Sequence, residues 1–132
     1  MTVEIRWLTQ RMVQAFHRET LLKHGGGTGL RDEKLLESAL ARPQNRAACD
    51  TEATVFDLAA EYCAGIVGNH PFVDGNKRTG LLAAVVFLSF NGYRLDADEA
   101  DIVATIEGLA AGQVDAERLS RWLADNSGST TP

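Results

Sequence analysis

The 132-residue chain is short of cysteine, of basic charge and of any long apolar run. Its two cysteines, Cys49 and Cys63, show neither CxxC nor histidine-paired spacing, so they form no metal framework and are expected as free thiols. Thirteen Lys and Arg against eighteen Asp and Glu leave a net charge of −5. Such a surface offers no overall attraction to nucleic acid, and direct nucleic-acid binding is not expected. The apolar stretch Leu81–Phe90 is too short to span a bilayer, and no signal peptide opens the chain. A cytoplasmic protein with no membrane partner follows. No internal repeat or linker interrupts the sequence, and its length gives room for one core. Hydrophobic residues at 45% and charged residues at 23% are ordinary for a globular protein. One domain is expected over residues 1–125, with 126–132 as a flexible C-terminal tail.

The periodicity that is present is helical. Val3–Trp7 alternates weakly, as a short extended start would. Thr9 can cap a helix to about Lys23, with Met12, Val13 and Phe16 facing inward. Gly25-Gly26-Gly27-Thr28-Gly29 then breaks the pattern. No Lys-Ser or Lys-Thr follows, so this is not a Walker loop; it is a mobile flap or a connector without a role. Asp32 can cap a helix through Ala41, which Pro43 ends. Thr54-Val55-Phe56-Asp57 fits a capping box. It opens a helix with Val55, Leu58, Ala59, Tyr62 and Ile66 on one stripe, closed by Gly68; Cys63 on an apolar face is expected to be buried. From about Asn76 a helix apolar on nearly every face runs to a stop at Asn91-Gly92, which places it in the core. Gly80 within it signals close packing against a neighbour. Asp96-Ala97-Asp98 starts a helix carrying Ile102, Val103, Ile106 and Leu109. A last helix runs from about Asp115 to Asp125, anchored by Leu119, Trp122 and Leu123. The fold class is all-α, a compact helical bundle around a central apolar helix.

Between two of these helices lies His70-Pro71-Phe72-Val73-Asp74-Gly75-Asn76-Lys77-Arg78-Thr79-Gly80. It gathers a base, a carboxylate, an amide and two cations at a helix N-terminus, where free N–H groups and the macrodipole attract phosphate. Taken singly, Asp74 reads as a helix cap, Lys77 and Arg78 as a solvated first turn, and His70 and Phe72 as core. Together they read otherwise, because Lys and Arg there oppose the macrodipole and a bound anion relieves that cost. On this chemistry His70 is the candidate general base. Asp74 is the candidate ligand for Mg²⁺ on nucleotide phosphates. Asn76 and the N–H groups of Gly75 and Lys77 would cradle phosphate, and Arg78 would neutralise charge on the transferred group. Phe72 is an anchor and Pro71 stiffens the turn. Arg31, beside the glycine run, is a contact to nucleotide or target, or a plain surface residue.

The turn resembles the Fic/Doc signature, His-Pro-Phe-x-Asp/Glu-Gly-Asn-Gly/Lys-Arg, and matches it at every specified position. Lys77 in place of glycine, Leu81 in place of a second arginine, and the stretch Gly29-Leu30-Arg31-Asp32 through Gln44 resemble the Doc branch. The resemblance implies a toxin of a type II toxin–antitoxin system, a kinase moving the ATP γ-phosphate to a hydroxyl of elongation factor Tu and so inhibiting translation. It implies His70, Asp74 and Arg78 as catalytic residues, Gly75, Asn76, Lys77 and Arg78 as phosphate ligands, and Mg²⁺ at Asp74. The alternatives are a Fic-type adenylyltransferase and a non-catalytic partner-binding module. The inhibitory helix pattern of many Fic proteins, Ser/Thr-x-x-x-Glu-Gly/Asn, is absent from the sequence, which implies a separate Phd-like antitoxin.

Overall fold

The computed structural model describes residues 4–130. Val3 therefore lies outside the described residues, and Glu4–Thr9 adopt no regular structure in place of the expected extended start. The described elements are α1 (Gln10–His24), α2 (Glu33–Cys49), α3 (Val55–Asn69), α4 (Asn76–Phe90), β1 (Tyr93–Leu95), α5 (Glu99–Ala110), α6 (Ala116–Asp125) and β2 (Ser127–Ser129). The all-α class holds.

Caps set several of the boundaries. The Thr9 side chain accepts from Met12 N at 3.2 Å and starts α1. Asp32 does the same for α2 through Leu35 N at 3.1 Å. Thr54 and Asp57 form the complete capping box of α3, each side chain accepting from the other's backbone N–H. At the far end of α4 the Asn91 carboxamide donates to Phe87 O at 2.8 Å, and Gly92 takes the left-handed turn.

Pro43 does not end α2. The helix continues through it to Cys49, because Pro43 lies on the buried stripe Leu36–Ala39–Pro43 that faces the core. Packing along that face outweighs the one N–H that proline removes.

α3 packs against α2, α4, α5 and α6, while α4 packs against α1, α3, α5 and β1. The centre is therefore shared by two apolar helices. They cross where Gly80 leaves room: a Cβ there would fall 2.9 Å from Val67 Cγ2 and 3.1 Å from Cys63 O. Cys63 is buried at this crossing, and burial pushes its thiol up to about 12. Tyr62, Phe72, Phe87 and Leu123 are among the side chains that fill the core.

The C-terminal residues depart from the expected tail. Ser127–Ser129 pair antiparallel with Tyr93–Leu95, in the register Tyr93↔Ser129 and Leu95↔Ser127. Thr131 and Pro132 lie outside the described residues.

Candidate active site

The end of α3 and the start of α4 build the site. α3 passes Gly68, the expected stop, and runs to Asn69; His70 closes it, with its N–H donating to Ile66 O at 3.1 Å. His70 has φ 53° and ψ 54°, and is the one non-glycine residue with positive φ among the described residues. A left-handed backbone costs a residue with a Cβ about 1–2 kcal/mol, so neighbouring contacts must hold it. The His70 side chain is exposed and lines the cleft, which removes the core-filling reading.

Phe72 is the core-filling residue. It is buried, and its ring stacks on His17 with centroids 3.9 Å apart and planes 9° from parallel. His17 is 4% exposed, and its Nε2–H donates to Asp74 O at 2.7 Å. The sequence reading missed His17. Its position on the inward stripe Val13–His17–Thr20 of α1 was the available signal.

Asn76 closes the turn from the other side. Its carboxamide accepts from Phe72 N and donates to Phe72 O, both at 3.0 Å. Both polar ends of that buried side chain are thereby engaged, which leaves its backbone N–H as the group an anion can use. The cap of α4 is Gly75, not Asp74. Gly75 has φ 78° and ψ 17°, a conformation glycine adopts without steric cost, and no side chain caps this end. The Asp74 carboxylate instead accepts from Gly75 N through Oδ1 at 2.8 Å. Uncapped first-turn N–H groups remain on α4, where an anion is favoured.

The two cations differ. Lys77 Nζ pairs with Glu107 Oε1 of α5 at 2.8 Å, with both side chains about half exposed (49% and 59%). Arg78 is exposed and has no side-chain partner among the described residues. A cleft of about 600 Å³ collects these groups. His70 and Asp74–Arg78 line its polar side, and Val67, Leu81, Ile102, Val103 and Ile106 its apolar side. Among the described residues no group of three or more His, Cys, Asp or Glu side chains could hold a metal ion. Asp74 by itself offers a single carboxylate, a hard oxygen donor able to contribute one ligand to a divalent cation.

The segment before α2 lies on the turn. Leu30 bridges to Phe72, Val73 N donates to Gly29 O at 3.1 Å, and Arg31 N and Asp32 N donate to Pro71 O. The glycine run is placed here too: a Cβ on Gly26 would fall 2.7 Å from Asp74 Oδ2. Arg31 is an exposed surface residue that does not line the cleft, and its guanidinium donates to the Asn69 and His70 carbonyls.

Residues 7–88, which hold α1 through most of α4 and the whole turn, match the Fic/DOC family. The chain belongs to the Fic/DOC family. It is 29% identical over 110 residues to the protein kinase doc of Escherichia phage P1, covering 83% of this chain and 86% of that protein. It is 44% identical over 75 residues to the toxin Doc of Mycolicibacterium smegmatis, covering 56% of this chain and 58% of that protein. The Fic/DOC match stops before α5, so Glu107 and the apolar wall from Ile102 to Ile106 lie beyond it.

Proposed function

We propose that this Fic/DOC protein is the toxin of a type II toxin–antitoxin pair and acts as a protein kinase, moving the γ-phosphate of ATP to a hydroxyl of elongation factor Tu. The observation that carries the reading is one cleft lined by His70, Asp74, Arg78 and the uncapped start of α4. Similarity to a phage protein kinase doc and to a mycobacterial toxin Doc supports the reaction class and the toxin role.

In this mechanism an imidazole nitrogen of His70 takes the proton of the target hydroxyl as its oxygen attacks the γ-phosphorus. The bond from that phosphorus to the β–γ bridging oxygen breaks, and ADP leaves. The N–H groups of Asn76, Lys77 and Arg78 bind the nucleotide phosphates along the dipole of α4. Arg78, with no side-chain partner among the described residues, places its donors on the oxygens of the transferred group, where charge must be neutralised. Asp74 would hold Mg²⁺, which would supply further neutralisation of phosphate charge. Lys77, tied to Glu107, adds charge and bulk beside the start of α4 and disfavours a nucleotide turned to present its α-phosphate. A separate Phd-like antitoxin supplies the inhibition that no internal helix motif provides.

Intact mass of elongation factor Tu after incubation with the protein, Mg²⁺ and ATP tests the proposal. A gain of one phosphate is the expected result. A gain of one AMP would replace the kinase with an adenylyltransferase, and an unchanged mass would remove elongation factor Tu as the target.

A further inference from the structure

We infer that Arg31 is a positioning residue that holds His70 in its left-handed turn and so aims the imidazole into the cleft. The inference rests on the reading of His70 as the base.

Arg31 takes three consecutive carbonyls. Its Nη2–H donates to Asn69 O at 3.0 Å, its Nε–H to His70 O at 2.7 Å, and its backbone N–H to Pro71 O at 2.7 Å. Those carbonyls flank the one non-glycine residue with positive φ among the described residues. A helix end leaves its last carbonyls without intrahelical donors, and an abrupt left-handed turn brings adjacent ones within reach of one fork. The guanidinium meets both needs at once: two N–H groups in fixed geometry, and a positive charge at the negative end of α3.

Arg31 is itself anchored. It immediately precedes Asp32, the cap of α2, whose backbone N–H donates to the same Pro71 carbonyl at 3.0 Å. The start of α2 is therefore joined to the turn on both sides of His70. Asn69 adds a reciprocal tie, its Nδ2–H donating to Leu35 O at 2.9 Å. Arg31 does not line the cleft, and its route to the chemistry is through the His70 backbone. Lysine keeps the charge but cannot reproduce the fork, which separates geometry from electrostatics.

The test uses the full chain with Arg31→Lys and Arg31→Ala. Backbone chemical shifts and the HN–Hα coupling of His70 in the free protein report its conformation directly. Left-handed values in the wild type, lost in both variants while the interiors of α3 and α4 keep their shifts, are the expected result. In phosphoryl-transfer kinetics kcat should fall roughly 10²-fold with the nucleotide KM unchanged, the penalty of a misplaced reactive group. Added guanidinium ion should restore part of kcat to Arg31→Ala. Left-handed His70 signals that persist in both variants would overturn the inference. So would a lower melting temperature with kcat intact, since that marks a helix cap and nothing more. If Arg31→Ala does not fold, Arg31→Lys carries both readings. Absence of transfer by the wild type would overturn the kinase proposal instead, and the His70 backbone signals would still decide the clamp.

Discussion

At Asn76 both ends of the carboxamide are consumed by Phe72, whereas Arg78, two residues on, has no side-chain partner among the described residues. The same motif thus holds groups that fix the turn and groups left for a ligand. His70 belongs to both: its backbone is held and its ring faces the cleft. His70→Ala should lower transfer by ~10²–10⁴, the range of a positioned general base. Nucleotide affinity and the circular dichroism spectrum should stay as in the wild type, and an undiminished rate would remove His70 as the base. At Lys77 the pair with Glu107 is half exposed, so breaking it changes stability by under about 1 kcal/mol. Its consequence is expected in the nucleotide. With label placed once on the α- and once on the γ-phosphate of ATP, Lys77→Gly should raise the share of α-label transferred. A shift of ~1.4 kcal/mol between the two nucleotide poses moves their ratio tenfold. Transfer of γ-label alone, at the wild-type rate, would show that Lys77 does not select the reacting phosphate.

The start of α3 joins elements that are far apart in sequence. Asp57 completes the capping box, accepts a hydrogen bond from Ser120 of α6 at 2.6 Å, and lies 3.8 Å from Arg46 of α2. Partial burial alone would raise its carboxyl. The hydrogen bonds from Ser120 and Thr54, with the Arg46 charge, outweigh that and hold it below the usual carboxylate range. A depressed folded value stabilises the fold above the unfolded value of about 3.9 and loses that contribution as pH falls through the folded value. Denaturant midpoints taken at neutral pH and at roughly pH 3 should therefore differ more in the wild type than in Asp57→Asn. Equal pH dependence in the two proteins would assign the acid sensitivity to other carboxylates. Thr54→Ala should cost about 1 kcal/mol at neutral pH in the same measurement, as loss of a helix cap does.

On the scale of the molecule, β1 and β2 tie the last described residues back to the segment after α4. Arg6 N donates to Asn91 at 2.9 Å, so the residues ahead of α1 meet the same end of α4. Removing residues 127–132 strips the β1 edge of its partner while leaving α6 whole. The melting temperature should drop, by a loss on the order of 1 kcal/mol for a few cross-strand pairs, with helical ellipticity retained. An unchanged melting temperature would show that the sheet adds no stability.

The sequence by itself determined the elements whose ends are written in local chemistry. Thr9, Asp32 and Thr54 mark helix starts because an N-cap bond spans only two or three residues. The His70–Gly80 turn was legible for the same reason: its residue types are contiguous and few turns need them all. Gly80 announced a close helix crossing, and the crossing is there. Tertiary structure decided the rest. Pro43 stays inside α2 because the face it shares with Leu36 and Ala39 is buried. Ser127–Ser129 become a strand because Tyr93–Leu95, more than thirty residues earlier, offers an edge. Lys77 meets Glu107, Phe72 meets His17, and three carbonyls around His70 meet Arg31 only after α1, α2 and α5 converge on the turn. Local propensity reaches along the chain by about one helical turn. Contacts at separations of 30 to 57 residues depend on which faces the core buries, and packing sets that.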